Sequence, residues 1–329
     1  MKTAAAAART ARLLALSALL LCHGCAYWSG LQHTYSAQAL PAQEFQFGDG
    51  GHAIYFSFDK SVQQLPAAAS TPAITTYLFV LAGSDCTSMK YFLPQYFDGL
   101  DGRSGALRIF VLHKRFIEER SWGRLAGCGD DFIDADHAQR WLADQEEFIR
   151  VQLAAAARTG MSLRRVVLLG ISEGADIVPT LAQRLPEVTH AVLLGNGGMA
   201  PLAAYRLQAA KHGFADQLAA LAPLESAPVS GGDQAQRLLG RSWRYWKELQ
   251  ALPHRQSLLQ LHIPLMVAMG EADRAVPIES AWYLRDLFAA HGKQNLTLIT
   301  YPRADHGLRN ESDSMLPDFS RSLDYWLDK

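Results

Sequence analysis

Short, mostly apolar runs recur along the chain and alternate with segments whose apolar residues return every three or four positions. Such runs predict strands that are buried on both faces, which is typical of a parallel sheet covered by helices. The clearest run, Val-Val-Leu-Leu at 166–169, leads directly into a glycine. The other strands predicted in this way are 76–81, 107–112, 188–194, 264–270 and 296–301. Two alternating segments, 44–47 and 53–58, flank a glycine-rich turn and predict an antiparallel hairpin at the outer edge of the sheet.

Helical periodicity fills the spaces between these strands. Residues 136–158 carry apolar side chains at helical spacing, and Asp136 with Gln139 fits an acidic N-cap and its return partner. A long loop is expected between residues 115 and 132, where glycines and mixed charges replace the periodic pattern. Further helices are predicted at 278–291 and 315–327.

Residues 199–262 interrupt the alternation of strand and helix with Ala- and Leu-rich stretches. They predict an inserted helical subdomain between two strands of the sheet. The insertion contains an aromatic cluster, Trp243, Tyr245 and Trp246. Large aromatic side chains dominate protein cores, so we expect this cluster to serve packing before substrate contact.

The composition agrees with one α/β domain that carries an inserted subdomain. The chain has 329 residues, of which 49% are hydrophobic and 19% are charged. With 31 basic and 32 acidic residues, the formal net charge is -1. No overall field would attract a polyanion, so we expect no nucleic-acid partner, and the composition leaves the oligomeric state open.

The amino terminus has the pattern of an export signal. Residues 1–12 carry three basic side chains and no acid, and 13–21 are apolar. The apolar stretch is shorter than the roughly 20 residues that a membrane span needs. We therefore expect the protein to be exported, to the periplasm or beyond it. The alternative is a hydrophobic helix that stays on the mature chain.

Two processing sites fit the residues that follow. Small residues end at Ala26, where a signal peptidase could cut, and 21–25 resembles a bacterial lipoprotein box in which Cys25 would carry a lipid and anchor the protein to a membrane. A third cut, after Ala39, lies far from the apolar run. The expected division of the chain is a signal at 1–26, a tether at 27–43, a core at 44–198 and 263–329, and a helical cap at 199–262.

The strand at 166–169 runs into Gly170-Ile171-Ser172-Glu173-Gly174. Small residues on both sides of Ser172 let a strand reverse into a helix and leave the hydroxyl exposed at the carboxyl edge of the sheet. The alternative is a turn or helix-cap serine without chemistry. Strand, motif and helix together resemble the nucleophile elbow of the α/β hydrolases. The resemblance implies an α/β-hydrolase fold, with a mostly parallel sheet flanked by helices and a helical cap insertion.

A serine hydroxyl is a weak nucleophile and needs a base and a group that orients the base. The resemblance implies the chain order serine, acid, histidine. Asp273 lies in a Gly-x-x-Asp-x-x-Val-Pro run that resembles the acid loop of the family, with Glu271 as the alternative acid. His306 follows the last predicted strand and is the expected base. His262 and His291 flank helix or strand ends and are expected to be structural.

The same resemblance implies two backbone donors for the oxyanion. The N–H of Glu173 is one by position, at the start of a helix. The N–H of Ser84 is the expected second donor, with Asp85 next best. The family usually has His-Gly in this loop, and this chain has Ala82-Gly83 instead. Each donor contributes about 3–4 kcal/mol to transition-state stabilisation.

The resemblance implies an acyl-serine mechanism on an ester, thioester or amide, with no cofactor. The chain shows no paired His or Cys spacing for a metal and no phosphate loop of the Walker type. We expect a carboxylesterase that acts on a small-molecule or short-peptide acyl substrate. One alternative is an aminopeptidase-like peptidase, in which Asp85, Glu173 or Glu225 would bind the substrate amine. The other is a non-catalytic binding protein, which would not need a complete triad.

The chain has four cysteines, and Cys22 and Cys25 belong to the export segment. An even pair, Cys86 and Cys128, remains for an oxidising compartment, where disulfides persist. Both lie in loops expected at the carboxyl edge of the sheet, so we predict a bridge that holds the oxyanion loop. The alternative is two buried free thiols.

Overall fold

The computed structural model describes residues 40–61, 73–103, 105–123, 127–213, 219, 222, 224 and 237–329. The predicted signal with Cys25, most of the predicted tether, and Glu225 lie outside these ranges. Within them, no helix is both long enough and apolar enough to span a bilayer.

Eight strands form the central sheet, in the order β1-β2-β4-β3-β5-β6-β9-β10. They are β1 Gln43–Gln46, β2 His52–Lys60, β3 Ile74–Leu81, β4 Ala106–Leu112, β5 Arg165–Ile171, β6 His190–Leu194, β9 Leu265–Gly270 and β10 Leu296–Tyr301. The six strands from β4 to β10 in this order are parallel, and the edge hairpin β1-β2 joins them antiparallel to β4. This is the α/β-hydrolase fold that the sequence predicted, with the predicted hairpin at its edge.

Eight helices accompany the sheet in the described ranges. They are α1 Asp130–Ala135, α2 Ala138–Arg158, α3 Gly174–Arg184, α4 Pro201–His212, α5 Trp243–Ala251, α6 His254–Gln260, α7 Glu279–Ala290 and α8 Leu316–Leu327. Short 3-10 turns at Met89–Tyr91 and Gln95–Phe97 follow β3.

The sheet is buried on both faces because successive residues of its strands enter two separate cores. In β5, Leu168 packs in the core that contains Phe148 of α2, whereas Val167 and Leu169 pack in the core that contains Phe319 of α8. All three β5 residues are inaccessible to solvent. The alternation of a strand thus explains why its whole sequence is apolar.

The structure corrects the predicted start of the helix 136–158. The helix begins at Ala138, and His137 is its N-cap, with Nδ1 accepting from the N–H of Arg140 at 3.4 Å. Asp136 is not the N-cap of α2. It is the C-cap of α1, which occupies part of the predicted loop, and Asp136 is buried at 4% exposure. The N–H of Gln139 donates to Glu248 of α5 instead.

The insertion between β6 and β9 contains α4, α5, α6 and a small hairpin of β7 Arg237–Leu238 and β8 Arg241–Ser242. Helix α5 packs on α2, and α6 packs on α3, the helix that follows Ser172. The insertion is thereby attached to the two helices that lie beside the nucleophile strand. Its aromatic cluster is buried.

Candidate active site

The strand β5 and the helix α3 hold Ser172 in a tight turn between them. Its φ of +53° lies in the left-handed region, which is unfavourable for a residue with a side chain and is found where the surrounding structure enforces it. A Cβ on Gly174 would collide with the carbonyl oxygen of Leu81, and a Cβ on Gly170 would lie 2.5 Å from Cα of Ala175. Both glycines of the motif are therefore required by close packing of the turn.

The structure brings Ser172, His306 and Asp273 together. His306 follows β10, and its Nε2 lies 2.8 Å from Oγ of Ser172. Its Nδ1 lies 2.7 Å from Oδ2 of Asp273, which follows β9. The other carboxylate oxygen of Asp273 accepts from the N–H groups of Ala275 and Val276 at 2.7 and 2.9 Å. Since both oxygens of Asp273 are engaged, the carboxylate has one orientation toward the imidazole.

The alternative acid and the other two histidines lie elsewhere. Glu271 is exposed and accepts from the hydroxyl of Thr300 at 2.8 Å. His291 ends α7 with Nδ1 2.8 Å from the carbonyl oxygen of Leu287, and His262 is exposed. None of them takes part in the hydrogen-bond chain to Ser172.

The loop after β3 passes beside the nucleophile. A Cβ on Gly83 would lie 3.7 Å from Cβ of Ser172, in ordinary contact. Ser84 follows and is exposed, and its carbonyl oxygen accepts from the guanidinium of Arg241. Asp85 is also exposed, and its Oδ1 accepts from the N–H of Thr87 at 3.0 Å. Gly83 therefore lies beside Ser172, and the predicted donor Ser84 is the next residue in the same loop.

The side chain of Glu173 is buried, although its neighbour Ser172 opens to solvent. Its Oε1 accepts from Nζ of Lys114 at 2.6 Å. Its Oε2 accepts from the hydroxyl of Tyr245 at 2.7 Å and from Nη2 of Arg241 at 3.1 Å. Burial raises the pKa of Tyr245 well above its usual value, so the phenol stays protonated and donates. The sequence analysis proposed Glu173 for its backbone N–H and, in the peptidase alternative, for a carboxylate that binds the substrate amine; the structure instead engages that carboxylate with protein groups.

Asp136 completes a buried charge cluster, which we define as Lys114, Asp136, Glu173 and Arg241. Oδ1 of Asp136 lies 2.8 Å from Nζ of Lys114, and Oδ2 forms an ion pair with Arg241. Two cations and two anions meet here, and each side chain is at most 7% exposed. Burial lowers the pKa of Lys114 to about 8, although the carboxylate of Glu173 opposes the effect.

No local sequence signal marks this cluster. Its members follow β4, precede α2, follow the nucleophile and lie on the insertion hairpin, so only the folded chain brings them together. One sequence feature is informative: Lys114 comes two residues after the end of a buried strand, at the edge where functional side chains of parallel sheets are found.

Cys86 and Cys128 form the predicted disulfide, with their Cα atoms 5.8 Å apart. Hydrogen bonds reinforce the bridge on the same loops. Oγ1 of Thr87 donates to the carbonyl oxygen of Gly123 at 2.9 Å, and the N–H of Gly123 donates to Oγ1 of Thr87 at 3.3 Å. The loop after β3 is thus fastened to the loop after β4.

In the part of the chain that the structure describes, no group of three or more His, Cys, Asp or Glu side chains is arranged to hold a metal ion. The site has instead the parts of a nucleophilic centre: a hydroxyl, an imidazole bonded to it, and a carboxylate bonded to the imidazole.

Solved structures of similar fold include hydrolases of different specificity. Est1E from Butyrivibrio proteoclasticus superposes with a TM-score of 0.55 at 12% identity, over 87% of this chain and 97% of that chain. The monoglyceride lipase of Saccharomyces cerevisiae gives 0.55 at 16% identity, over 88% and 94%. The acylaminoacyl peptidase of Pyrococcus horikoshii gives 0.55 at 12% identity, over 88% of this chain but 41% of that longer one. At these identities the likeness establishes the fold alone.

No curated protein sequence matches the chain significantly. The sequence model of the prolyl oligopeptidase family matches residues 125–329, which is more than half of the chain and includes Ser172, Asp273 and His306. With the fold established independently, this match makes the chain a member of the prolyl oligopeptidase family, among the hydrolases of the α/β-hydrolase superfamily.

Proposed function

We propose that the protein is a serine hydrolase that transfers an acyl group first to Ser172 and then to water. One observation carries the proposal: an unbroken chain of hydrogen bonds runs from Oγ of Ser172 through the imidazole of His306 to Asp273. Residues from three separate loops thus place a hydroxyl beside the base that takes its proton, and the base beside the carboxylate that orients it. Membership in a hydrolase family supports the same conclusion.

In the first half of the reaction, Nε2 of His306 takes the proton of Ser172 while Oγ attacks the substrate carbonyl carbon. Asp273 accepts a hydrogen bond from Nδ1, which holds the neutral imidazole in the tautomer whose Nε2 can accept. The carbonyl oxygen becomes an oxyanion, for which the N–H groups of Glu173 and Ser84 are the proposed donors. The imidazolium then gives its proton to the leaving group, whose bond to carbon breaks.

In the second half, water attacks the acyl-serine. His306 takes one proton from the water and returns it to Oγ of Ser172 as the acyl bond breaks, which releases a carboxylic acid and restores the enzyme. The cycle consumes one water and requires no external oxidant or reductant.

We propose a carboxylic ester as the preferred substrate. An enzyme that removes N-terminal residues needs a carboxylate free to bind the substrate amine. Of the three acids that the sequence offered for this purpose, Glu173 has both oxygens engaged by Lys114, Arg241 and Tyr245. Its carboxylate is buried and paired with cationic side chains, so it is not available to bind a substrate amine. Because Glu173 cannot serve as the amine-binding carboxylate, a neutral ester substrate is favoured over a peptide with a free amino terminus.

A peptidase is the second candidate, and membership in the prolyl oligopeptidase family favours it. In that case Asp85, which is exposed beside the nucleophile loop, is the acid that remains for the substrate amine among the described residues. Comparing kcat/KM for p-nitrophenyl esters with that for aminoacyl p-nitroanilides separates the two candidates. We expect the esters to be preferred, and a preference for the anilides would reverse the assignment.

Covalent labelling tests the mechanism itself. A fluorophosphonate should react with wild-type protein at Ser172, and Ser172→Ala should abolish both labelling and turnover. Ser162→Ala is the matched control, because Ser162 is exposed and precedes β5, at the end of that strand opposite to Ser172. It should label and turn over as the wild type does. A fluorophosphonate adduct on any other serine would refute the assignment of Ser172.

We further propose that residues 199–262 act as a cap over the site, and that the protein is exported. The basic and then apolar amino terminus supports export, with Cys25 as the lipid attachment site or Ala26 as the last residue of the signal. Mass spectrometry of the mature amino terminus distinguishes a diacylated Cys25 from an unmodified Tyr27. An intact Met1 in the purified cellular protein would contradict both.

A further inference from the structure

Arg241 connects the insertion to both segments that carry the proposed oxyanion donors. It lies on β8 of the small hairpin, and its guanidinium donates to the carbonyl oxygen of Ser84, a residue 157 positions away. Nη2 also donates to Oε2 of Glu173 at 3.1 Å. One side chain thus holds the loop after β3 and the residue that follows the nucleophile.

The remaining contacts of Arg241 hold the guanidinium itself in place. Nη1 forms an ion pair with Asp136, and the ring of Tyr245 lies beneath the guanidinium, with its centroid 4.4 Å from Cζ. The side chain is 2% exposed. Arginine suits this position because its planar fork presents several donors in fixed directions and does not lose its proton.

We propose that Arg241 is a positioning residue for the oxyanion hole, an inference that rests on the proposed serine mechanism. Oxyanion donors work only if they are already aimed at the position where the negative charge develops. The carbonyl of Ser84 shares a rigid peptide plane with the N–H of Asp85, so the bond from Arg241 orients that N–H directly and restricts the backbone rotation of Ser84 beside it. Fixing the carboxylate of Glu173 does the same for the second donor. The insertion thereby determines the geometry of a hole whose donors both belong to the core.

Substrate contact is a different role, and the geometry argues against it. Nη1 and Nη2 of Arg241 are both engaged by protein groups, and the side chain has almost no accessible surface. Loss of the guanidinium should therefore weaken transition-state stabilisation and leave substrate binding nearly unchanged. This expectation separates a positioning residue from a binding residue.

The experiment compares three variants with the wild type on a p-nitrophenyl ester. Arg241→Lys keeps the charge but loses the fork. The double variant Glu173→Gln with Arg241→Gln removes one charge of each sign and leaves Lys114 and Asp136 as a balanced pair. Arg237→Met is the matched control, because Arg237 lies on the same hairpin and its guanidinium pairs with the exposed carboxylate of Asp134.

We expect kcat to fall by about 10- to 100-fold in Arg241→Lys and in the double variant, with KM within about twofold of the wild type. The affinity for a boronic acid, which mimics the tetrahedral intermediate, should weaken in step with kcat. Arg237→Met should keep the wild-type kcat. Active-site titration with the fluorophosphonate gives kcat per folded molecule, so a lower yield of folded protein does not count as slower catalysis.

Wild-type kcat in Arg241→Lys and in the double variant would overturn the proposal. So would a raised KM with unchanged kcat, because Arg241 would then contact substrate. A kcat loss of equal size in Arg237→Met would also overturn it, since any disturbance of the hairpin would then suffice. Failure of the serine mechanism is distinguishable from these outcomes, because it would appear in the wild type as absence of labelling at Ser172.

Discussion

Removal of the Cys86–Cys128 disulfide should destabilise the protein by a predictable amount. The bridge joins residues 42 positions apart. In the chain-entropy account, cross-linking a loop of that length raises the free energy of unfolding by about 4 kcal/mol, less any strain in the native state. The variant replaces both cysteines with alanine, because Cys86 is buried beside Ile117 and Phe132, where a serine hydroxyl would add a cost of its own.

Urea and thermal unfolding followed by circular dichroism measure the loss. We expect the free energy of unfolding to fall by about 4 kcal/mol and the melting temperature by about 6 °C. Wild-type protein treated with a phosphine reductant should show the same loss, and the double alanine variant should not respond to the reductant. This second comparison separates the loss of the cross-link from the loss of the two sulfur atoms.

The catalytic effect should be smaller than the effect on stability. The loop after β3 keeps the paired hydrogen bonds between Thr87 and Gly123 and a 2.9 Å bond from the N–H of Ser88 to Ser121. We therefore expect kcat to fall severalfold and KM to change little. A change in the free energy of unfolding below about 1 kcal/mol would refute the entropic reasoning. Reaction of both cysteines with iodoacetamide in denaturant, before any reduction, would show that no bridge forms in the mature protein.

Three further predictions concern the triad and the buried charge cluster. Asp273→Asn should lower kcat by about 10³- to 10⁴-fold, because an amide stabilises the wrong imidazole tautomer, while Glu271→Gln should stay near the wild-type rate; the reverse pattern would exchange their roles. The value of kcat/KM should fall as the solution is acidified, because a protonated His306 cannot accept the serine proton, and a flat profile would contradict this role. Burial lowers the pKa of Lys114 from 10.5 to about 8, so the folded state releases this proton before the unfolded chain does. The cost of burying the ammonium is therefore fully present below pH 8 and relieved between pH 8 and 10.5, and the free energy of unfolding of the wild type should rise relative to Lys114→Met over that interval. If the free energy of unfolding of the wild type stayed constant or fell relative to that of Lys114→Met over this interval, the lowered pKa of Lys114 would be contradicted.

The strands were predictable because a strand buried on both faces is apolar along its whole length, whichever elements pack against it. Strand β10 has the predicted bounds, and β9 begins one residue after the predicted start. The start of α2 was not predictable in the same way. By residue type Asp136 is the better N-cap, but its carboxylate pairs with Lys114 and Arg241 inside the protein, and His137 occupies the N-cap position.

The candidate site also contains parts that could be predicted from the sequence and parts that could not. The motif around Ser172 is local, since the strand, the two glycines and the helix are consecutive, and close packing of that turn permits little else. Asp273 and His306 could be placed because each follows a recognisable strand and parallel strands end at one edge of the sheet. The side chain of Glu173 could not be placed, because an acid in a loop is usually exposed.

The order of serine, acid and histidine came from the resemblance to the α/β hydrolases. The sequence alone was enough to predict the parallel sheet, the turn at Ser172 and the pairing of Cys86 with Cys128. These features follow from runs of apolar residues, from glycines at close approaches and from an even number of cysteines, all of which are properties of short segments or of composition. The folded chain was needed to show that Asp136 is not the N-cap of α2 and that Arg241 contacts Ser84 and Glu173. Such contacts join residues that are far apart in the chain. A buried charge is tolerated only where opposite charges from other segments pair with it, so no local sequence pattern predicts these contacts.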